Sequence, residues 1–213
     1  MKKIFFKKIK ENKGYTIIET MISISLFIII TIAGMGALLS ANFVHRKSQD
    51  MRSIMDNLNF IMEDISRNIR TGYDYRCIED GGDLDSSLVD IPKSSSSCFG
   101  IAFESITTVA NISDPDNQWV YYVALDTNVS PPVGRIYKAT AGPYTPSNFI
   151  PLTPLEVVID PNASSFSVLG AEPPDANMQQ PFVIIRLVGQ INYKNTSTPF
   201  SLQTSMSQRL IDI

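Results

Sequence analysis

The chain of 213 residues contains one histidine, His45, and two cysteines, Cys77 and Cys98. A lone imidazole leaves no second histidine for a metal site, or for a His-containing relay with its orienting partner. No glycine-rich phosphate cradle follows a strand-like run, and there is no Gly-x-Ser-x-Gly elbow. These absences disfavour an enzyme; a Ser–Lys hydrolase is the form that they leave, and nothing in the sequence points to one. Positive charge is scarce beyond the start. Lys2, Lys3, Lys7, Lys8, Lys10 and Lys13 are offset there only by Glu11, whereas the rest of the chain carries twelve basic and twenty acidic residues, a net −8. An acidic body of this kind is a poor candidate for sequence-independent nucleic-acid binding, which needs a basic face, and no nucleic acid is required among the partners.

Formal charge is also missing from residues 20–44. Taken as a helix over 15–39, this stretch has about 25 residues at ~1.5 Å rise, enough for a ~30 Å hydrocarbon core with some tilt. It exceeds the ~7–15 apolar residues of a secretory signal, and no small-x-small cleavage site follows it. The lysines before it place that end in the cytoplasm and everything after His45 outside. His45, beside Arg46 and Lys47, is expected at headgroup level. A plain membrane anchor accounts for all of this except Glu19.

Glu19 falls one turn into the apolar helix, where a carboxylate near the centre would cost roughly 2.5–3.5 kcal/mol and somewhat less near an end. One reading is a side chain that snorkels to the headgroups and interacts with the positive end of the helix dipole. The other is that it awaits a partner. A cut between Gly14 and Tyr15 would expose an α-amine four residues before Glu19, and the same amine on a neighbouring subunit could reach it within a bundle. The cut would also remove all six lysines that hold the helix against the cytoplasmic face.

Lys13-Gly14-Tyr15-Thr16-Ile17-Ile18-Glu19 followed by an apolar run resembles the class III leader of type IV prepilins and pseudopilins. The resemblance covers about residues 8–40. It implies cleavage after Gly14 by a membrane-embedded prepilin peptidase, N-methylation of Tyr15, and pairing of Glu19 with a neighbour's N-terminal amine. It also implies partners: other pilin or pseudopilin subunits, the peptidase, an inner-membrane assembly platform, and membrane lipid before assembly. Two departures are visible. Tyr15 replaces the commoner Phe, and Gly34 and Gly36 stand where many members carry a proline. Each glycine weakens a helix by roughly 1 kcal/mol relative to Ala, which suits local melting; close helix–helix packing is the other reading.

Past His45, the residues Met51, Ile54, Met55, Leu58, Ile61, Met62, Ile65 and Ile69 recur at spacings of three and four. That is one apolar stripe over five turns, which predicts an amphipathic continuation of the helix that needs a sheet to lie on. Arg52, Asp56, Asn59, Glu63, Arg67 and Arg70 take the other faces, with Glu63–Arg67 an i,i+4 pair. Gly72 is expected as a left-handed cap. Residues 73–98 read as a polar excursion. Cys77 and Cys98, twenty-one positions apart in an exported domain, suggest a disulfide; the alternative is two free thiols in a reducing compartment. The acidic patch Glu79, Asp80, Asp83 and Asp85 lacks EF-hand spacing, and a solvated loop is preferred to a calcium site. No cofactor and no metal site are expected.

Residues 99–109, 118–125, 133–139, 155–159, 165–169, 182–193 and 200–210 are rich in Val, Ile, Tyr, Phe and Thr and are separated by Pro/Asp/Ser turn clusters, so they read as strands. The expected fold is α+β and pilin-like: a long transmembrane-then-amphipathic helix on an antiparallel head. The expected division is 1–14 cleaved leader, 15–41 membrane half of the helix, 42–71 amphipathic half and 72–213 exported head. This layout is also loosely similar to the J-type minor pseudopilins and W-type minor pilins. The resemblance implies a non-enzymatic filament subunit, of a type IV pilus, a type II secretion system or a competence-type filament. It would lie single-pass in the cytoplasmic membrane and, after assembly, in a cell-surface or periplasmic filament. The alternative is a single-pass anchored exported binding domain that never enters a filament.

Overall fold

A computed structural model of the chain describes residues 14–79, 92–105, 118–172, 179–193 and 196–209. The fold is α+β, with a long N-terminal helix, α1 (Ile17–Thr71), packed against antiparallel sheets. The chain divides into two compact units between Gln49 and Asp50.

In the second unit the helix lies on the head through the face its sequence marks out. Leu58, Ile61, Met62, Ile65 and Ile69 are buried, and Met51, Ile54 and Met55 pack partly buried against the same core. The charged residues Arg52, Asp56, Glu63, Arg67 and Arg70 are exposed. Glu63 and Arg67 pair at 3.5 Å.

Ten strands follow among the described residues: β1 (Gly72–Ile78), β2 (Ser95–Cys98), β3 (Gly100–Ser105), β4 (Gln118–Asp126), β5 (Val133–Ala139), β6 (Ile150–Pro151), β7 (Val157–Ile159), β8 (Ser165–Leu169), β9 (Phe182–Tyr193) and β10 (Thr196–Ser207). One sheet has the order β1-β3-β4-β5-β6 and the other β10-β9-β8-β2, with β7 also pairing to β9. Every ladder is antiparallel. Side chains alternate across each strand, so one face of each sheet feeds the core beneath the helix. Phe103, Tyr121 and Ile136 enter it from the first sheet, and Phe166, Ile185, Leu187 and Met206 from the second. The far face of the first sheet builds a smaller core, where Ile78, Ala102, Val120 and Tyr122 meet Tyr144 and Phe149 from the segment after β5. The Tyr144 hydroxyl donates to the Gln118 carbonyl and accepts from its N–H, each at 2.8 Å.

Three sequence expectations need correction. Residues 73–98 are not simply a polar excursion, because β2 and all but the first residue of β1 lie within them and β1 is largely buried. Arg76 of β1 is buried and pairs with Glu104 of β3 at 3.4 Å, so the charge in this polar-looking sequence meets an opposite charge inside the head. Nor does Gly72 cap the helix in a left-handed conformation. It opens β1, and a Cβ there would sit 2.3 Å from Phe103 Cδ2, which explains the glycine by close packing. The positive φ belongs to Asp74 (53°), within the irregularity that shifts the β1–β3 register between Tyr73 and Arg76.

The helix instead ends by having its last carbonyls answered. The Thr71 hydroxyl lies within hydrogen-bonding distance of the carbonyls of Arg67 and Asn68, and Arg209 N–H donates to the Arg70 carbonyl at 2.8 Å. The buried Tyr75 hydroxyl lies 2.5 Å from the Ile69 carbonyl and 2.7 Å from that of Gly72, sharing one proton between them. Three of the four terminal carbonyls that a helix leaves open are thereby satisfied. The third correction concerns strand limits. The apolar run from 99 breaks at Phe99 between β2 and β3, and β10 starts at Thr196 and runs through Pro199. Cys77 and Cys98 form a disulfide, with 5.5 Å between their Cα atoms, which ties β1 of one sheet to β2 of the other.

Candidate functional site

Gly14 and Tyr15 precede the helix in non-helical backbone, and Tyr15 is 81 % exposed. A Cβ on Gly14 would meet nothing within 4 Å, so no local contact within the described residues demands glycine there. The six leader lysines lie outside the described residues.

Glu19 is exposed in the first turn of α1. Its N–H donates to Thr16 Oγ1 at 3.3 Å, and Thr20 N–H donates to the Thr16 carbonyl at 3.1 Å. Thr16 is therefore the N-cap and Glu19 the third helical residue, the spacing of a capping box. The Thr-x-x-Glu signal stood in the sequence but was absorbed into the leader motif. A carboxylate here also faces the positive end of the helix dipole, typically a contribution of 0.3–1 kcal/mol at an exposed site.

The helix beyond Glu19 is built for an apolar surrounding. Residues 20–44 are all exposed, and the large ones are Met, Ile, Leu, Phe and Val. Four of its hydroxyls are turned back onto the backbone: Thr20 donates to the Ile17 carbonyl, Ser23 to Glu19, Ser25 to Ile22 and Thr31 to Phe27, at 2.7–2.8 Å. Each such bond removes an unsatisfied donor that hydrocarbon would penalise. By length and composition α1 is a candidate single membrane span. It stays helical through Gly34 and Gly36, and a Cβ on either would meet nothing within 4 Å. At the far end of the apolar stretch, His45 Nε2 lies 3.0 Å from Gln49 Nε2, which can donate to it.

Lower on α1, a polar cluster fixes the helix to the head. Asp64 pairs with Lys138 of β5 at 3.1 Å, and Asn68 donates to the Tyr121 hydroxyl at 2.8 Å. The Lys138 ammonium also lies 4.6 Å from the centre of the Trp119 ring, a cation–π distance. Burial, with a smaller contribution from the neighbouring Asp64 carboxylate, pushes the Tyr121 phenol well above its usual range, so it stays a neutral partner. None of these residues was singled out from sequence, because Asp64 and Asn68 meet Lys138 and Tyr121 only once the helix lies on the sheet.

Of the acidic patch, Glu79 is engaged with Lys93 at 2.5 Å, and that neighbour holds its carboxyl below the usual range. Asp80, Asp83 and Asp85 lie outside the described residues. Among the described residues, no group of three His, Cys, Asp or Glu side chains is placed to hold a metal ion. Comparison with family models, with curated proteins and with solved structures returned no match.

Proposed function

We propose that the chain is a structural subunit, a minor pilin or pseudopilin, of a type IV pilus, type II secretion or competence-type filament. A prepilin peptidase cuts after Gly14, Tyr15 becomes the methylated N-terminus, and the subunit leaves the membrane through its α1 helix to join others on an inner-membrane assembly platform. Residues 15–41 then form the membrane half of the helix, 42–71 the amphipathic half, and 72–213 the exported head. The observation that carries this reading is the placing of Glu19. It is the only formal charge between Lys13 and His45 in the sequence, and it occupies the first turn of a helix that is otherwise exposed and uncharged as far as Val44. In an assembled bundle its carboxylate meets the new amine of an adjacent Tyr15, in surroundings where a charge pair interacts more strongly than in water.

The second reading, a single-pass anchored binding domain, is favoured by one observation, the place of Glu19 in the first turn of α1, where its carboxylate meets the positive end of the dipole of its own helix. Glu19→Gln separates the two, since glutamine also suits the third position of a capping box but cannot form an ion pair. Under the filament reading, Glu19→Gln stays in the membrane fraction at wild-type level and is depleted from sheared filaments or from cross-linked subunit ladders. Equal recovery of the variant and the wild type in those assemblies would instead support the anchored domain.

A further inference from the structure

The strand β10 (Thr196–Ser207) ends its sheet, and among the described residues no strand pairs with its outer side. Twelve residues is long for an edge, and not one of them is charged. Edge strands normally carry lysine or glutamate, are short, or are covered, because open N–H and C=O groups recruit other chains. Pro199 blocks the edge near one end only. Beyond Pro199 lies a groove of about 640 Å³ between the helix and this strand, wholly within the head unit. Its floor includes Met62 and Leu202, and Arg67, Arg70 and Arg209 line it. Glu63, the one carboxylate in its lining, is already paired with Arg67. The guanidinium groups of Arg70 and Arg209, beside the Glu63–Arg67 pair and an uncharged strand edge, leave this a positive site on a body whose net charge is −8 outside the leader.

We propose that this groove binds an extended, carboxylate-bearing segment of a partner protein by strand addition to β10. The backbone of that segment continues the sheet, a small apolar side chain rests on Met62 and Leu202, and its carboxylates meet the arginines. Main-chain pairing supplies adhesion, and the arginines, which form charge-assisted hydrogen bonds in a fixed fork, select the acidic sequence. A second copy pairing β10 to β10 is disfavoured, because β10 is uncharged and brings no carboxylate to the arginines. The proposal stands whether or not the subunit enters a filament.

The test uses the full chain in detergent micelles and a labelled peptide that alternates threonine with valine and glutamate. The control peptide has glutamine in place of each glutamate. The expected result is binding by fluorescence anisotropy together with slowed amide exchange at alternate positions of β10. The glutamine peptide should bind about 3–10-fold more weakly, a difference that shrinks as salt is raised. The Arg70→Gln/Arg209→Gln variant, with unchanged thermal unfolding, should erase the preference between the two peptides. Absence of binding, equal binding of both peptides, or exchange protection away from β10 would each overturn the proposal. So would self-association of the full chain that protects β10 without any peptide.

Discussion

Removing the Cys77–Cys98 bridge is the perturbation whose size follows most directly from the structure. The two cysteines are 21 positions apart and join the two sheets, each sulfur lying in the core beneath the helix. In the chain-entropy treatment, a closed loop of that length restricts the unfolded chain by about 3 kcal/mol at 25 °C. The double variant Cys77→Ala/Cys98→Ala also loses two buried sulfur atoms, at 5 % and 2 % exposure, so the entropic figure is a floor. For a head of this size, each kcal/mol moves Tm by about 2–4 °C, so a fall of roughly 6–12 °C is expected. Full-length protein in detergent, followed by near-ultraviolet circular dichroism through a thermal ramp, reads the head directly. Chemical reduction of the wild type should reproduce the fall. A loss below about 2 °C, with the bridge verified as intact in the wild type, would refute the claim that this link holds the sheets together.

Other outcomes follow from the same contacts. Ile65 is fully buried between helix and sheets, so Ile65→Ala should cost about 2–5 kcal/mol in denaturant titrations of the head. The Arg135 guanidinium, 3.1 Å from Asp126, holds that carboxyl below its usual range. A carboxyl lowered on folding stabilises fully above its unfolded pKa of about 3.9, and that contribution is lost as the pH falls through the folded value. Acid unfolding should therefore flatten in Asp126→Asn, and an unchanged acid limb would show that the pair contributes nothing.

Much of the head was legible because its strands obey one rule. The runs at 118–125, 133–139, 165–169 and 182–193 are β-branched or aromatic and are bounded by turn residues; the observed strands fall within a residue of them. The apolar stripe of α1 was legible for the same reason, since only one face of a helix can meet a sheet. What escaped reading was structure held by tertiary pairing. In β1, Asp74 and Arg76 gave a polar signature, yet Arg76 finds Glu104 only once β3 lies beside it. In β2, three serines in a row carry no strand signal, and the segment is drawn into the sheet by β8 and the disulfide. Gly72 looked like a cap because it follows a helix, while the contact that requires it, Phe103, is thirty-one positions away. At the N-terminus the proposed cleavage and assembly residues, Gly14, Tyr15 and Glu19, rest on the sequence motif. The Thr16 N-cap, whose hydroxyl accepts from the backbone N–H of residue 19, was legible in the Thr-x-x-Glu spacing and went unread. The arginine-lined edge of β10 could not be read, since Arg67, Arg70 and Arg209 meet only after the helix and the last strand have been packed.

The central claim concerns the first residue of the mature chain. Intact-mass and N-terminal fragment analysis of the protein recovered from its native membrane or filament tests it directly. The account predicts a chain that begins at Tyr15, carries one added methyl group on its α-amine and lacks all six lysines of the leader. A chain that still begins at Met1, in cells with an active prepilin peptidase, would contradict the filament reading and leave the anchored binding domain in its place.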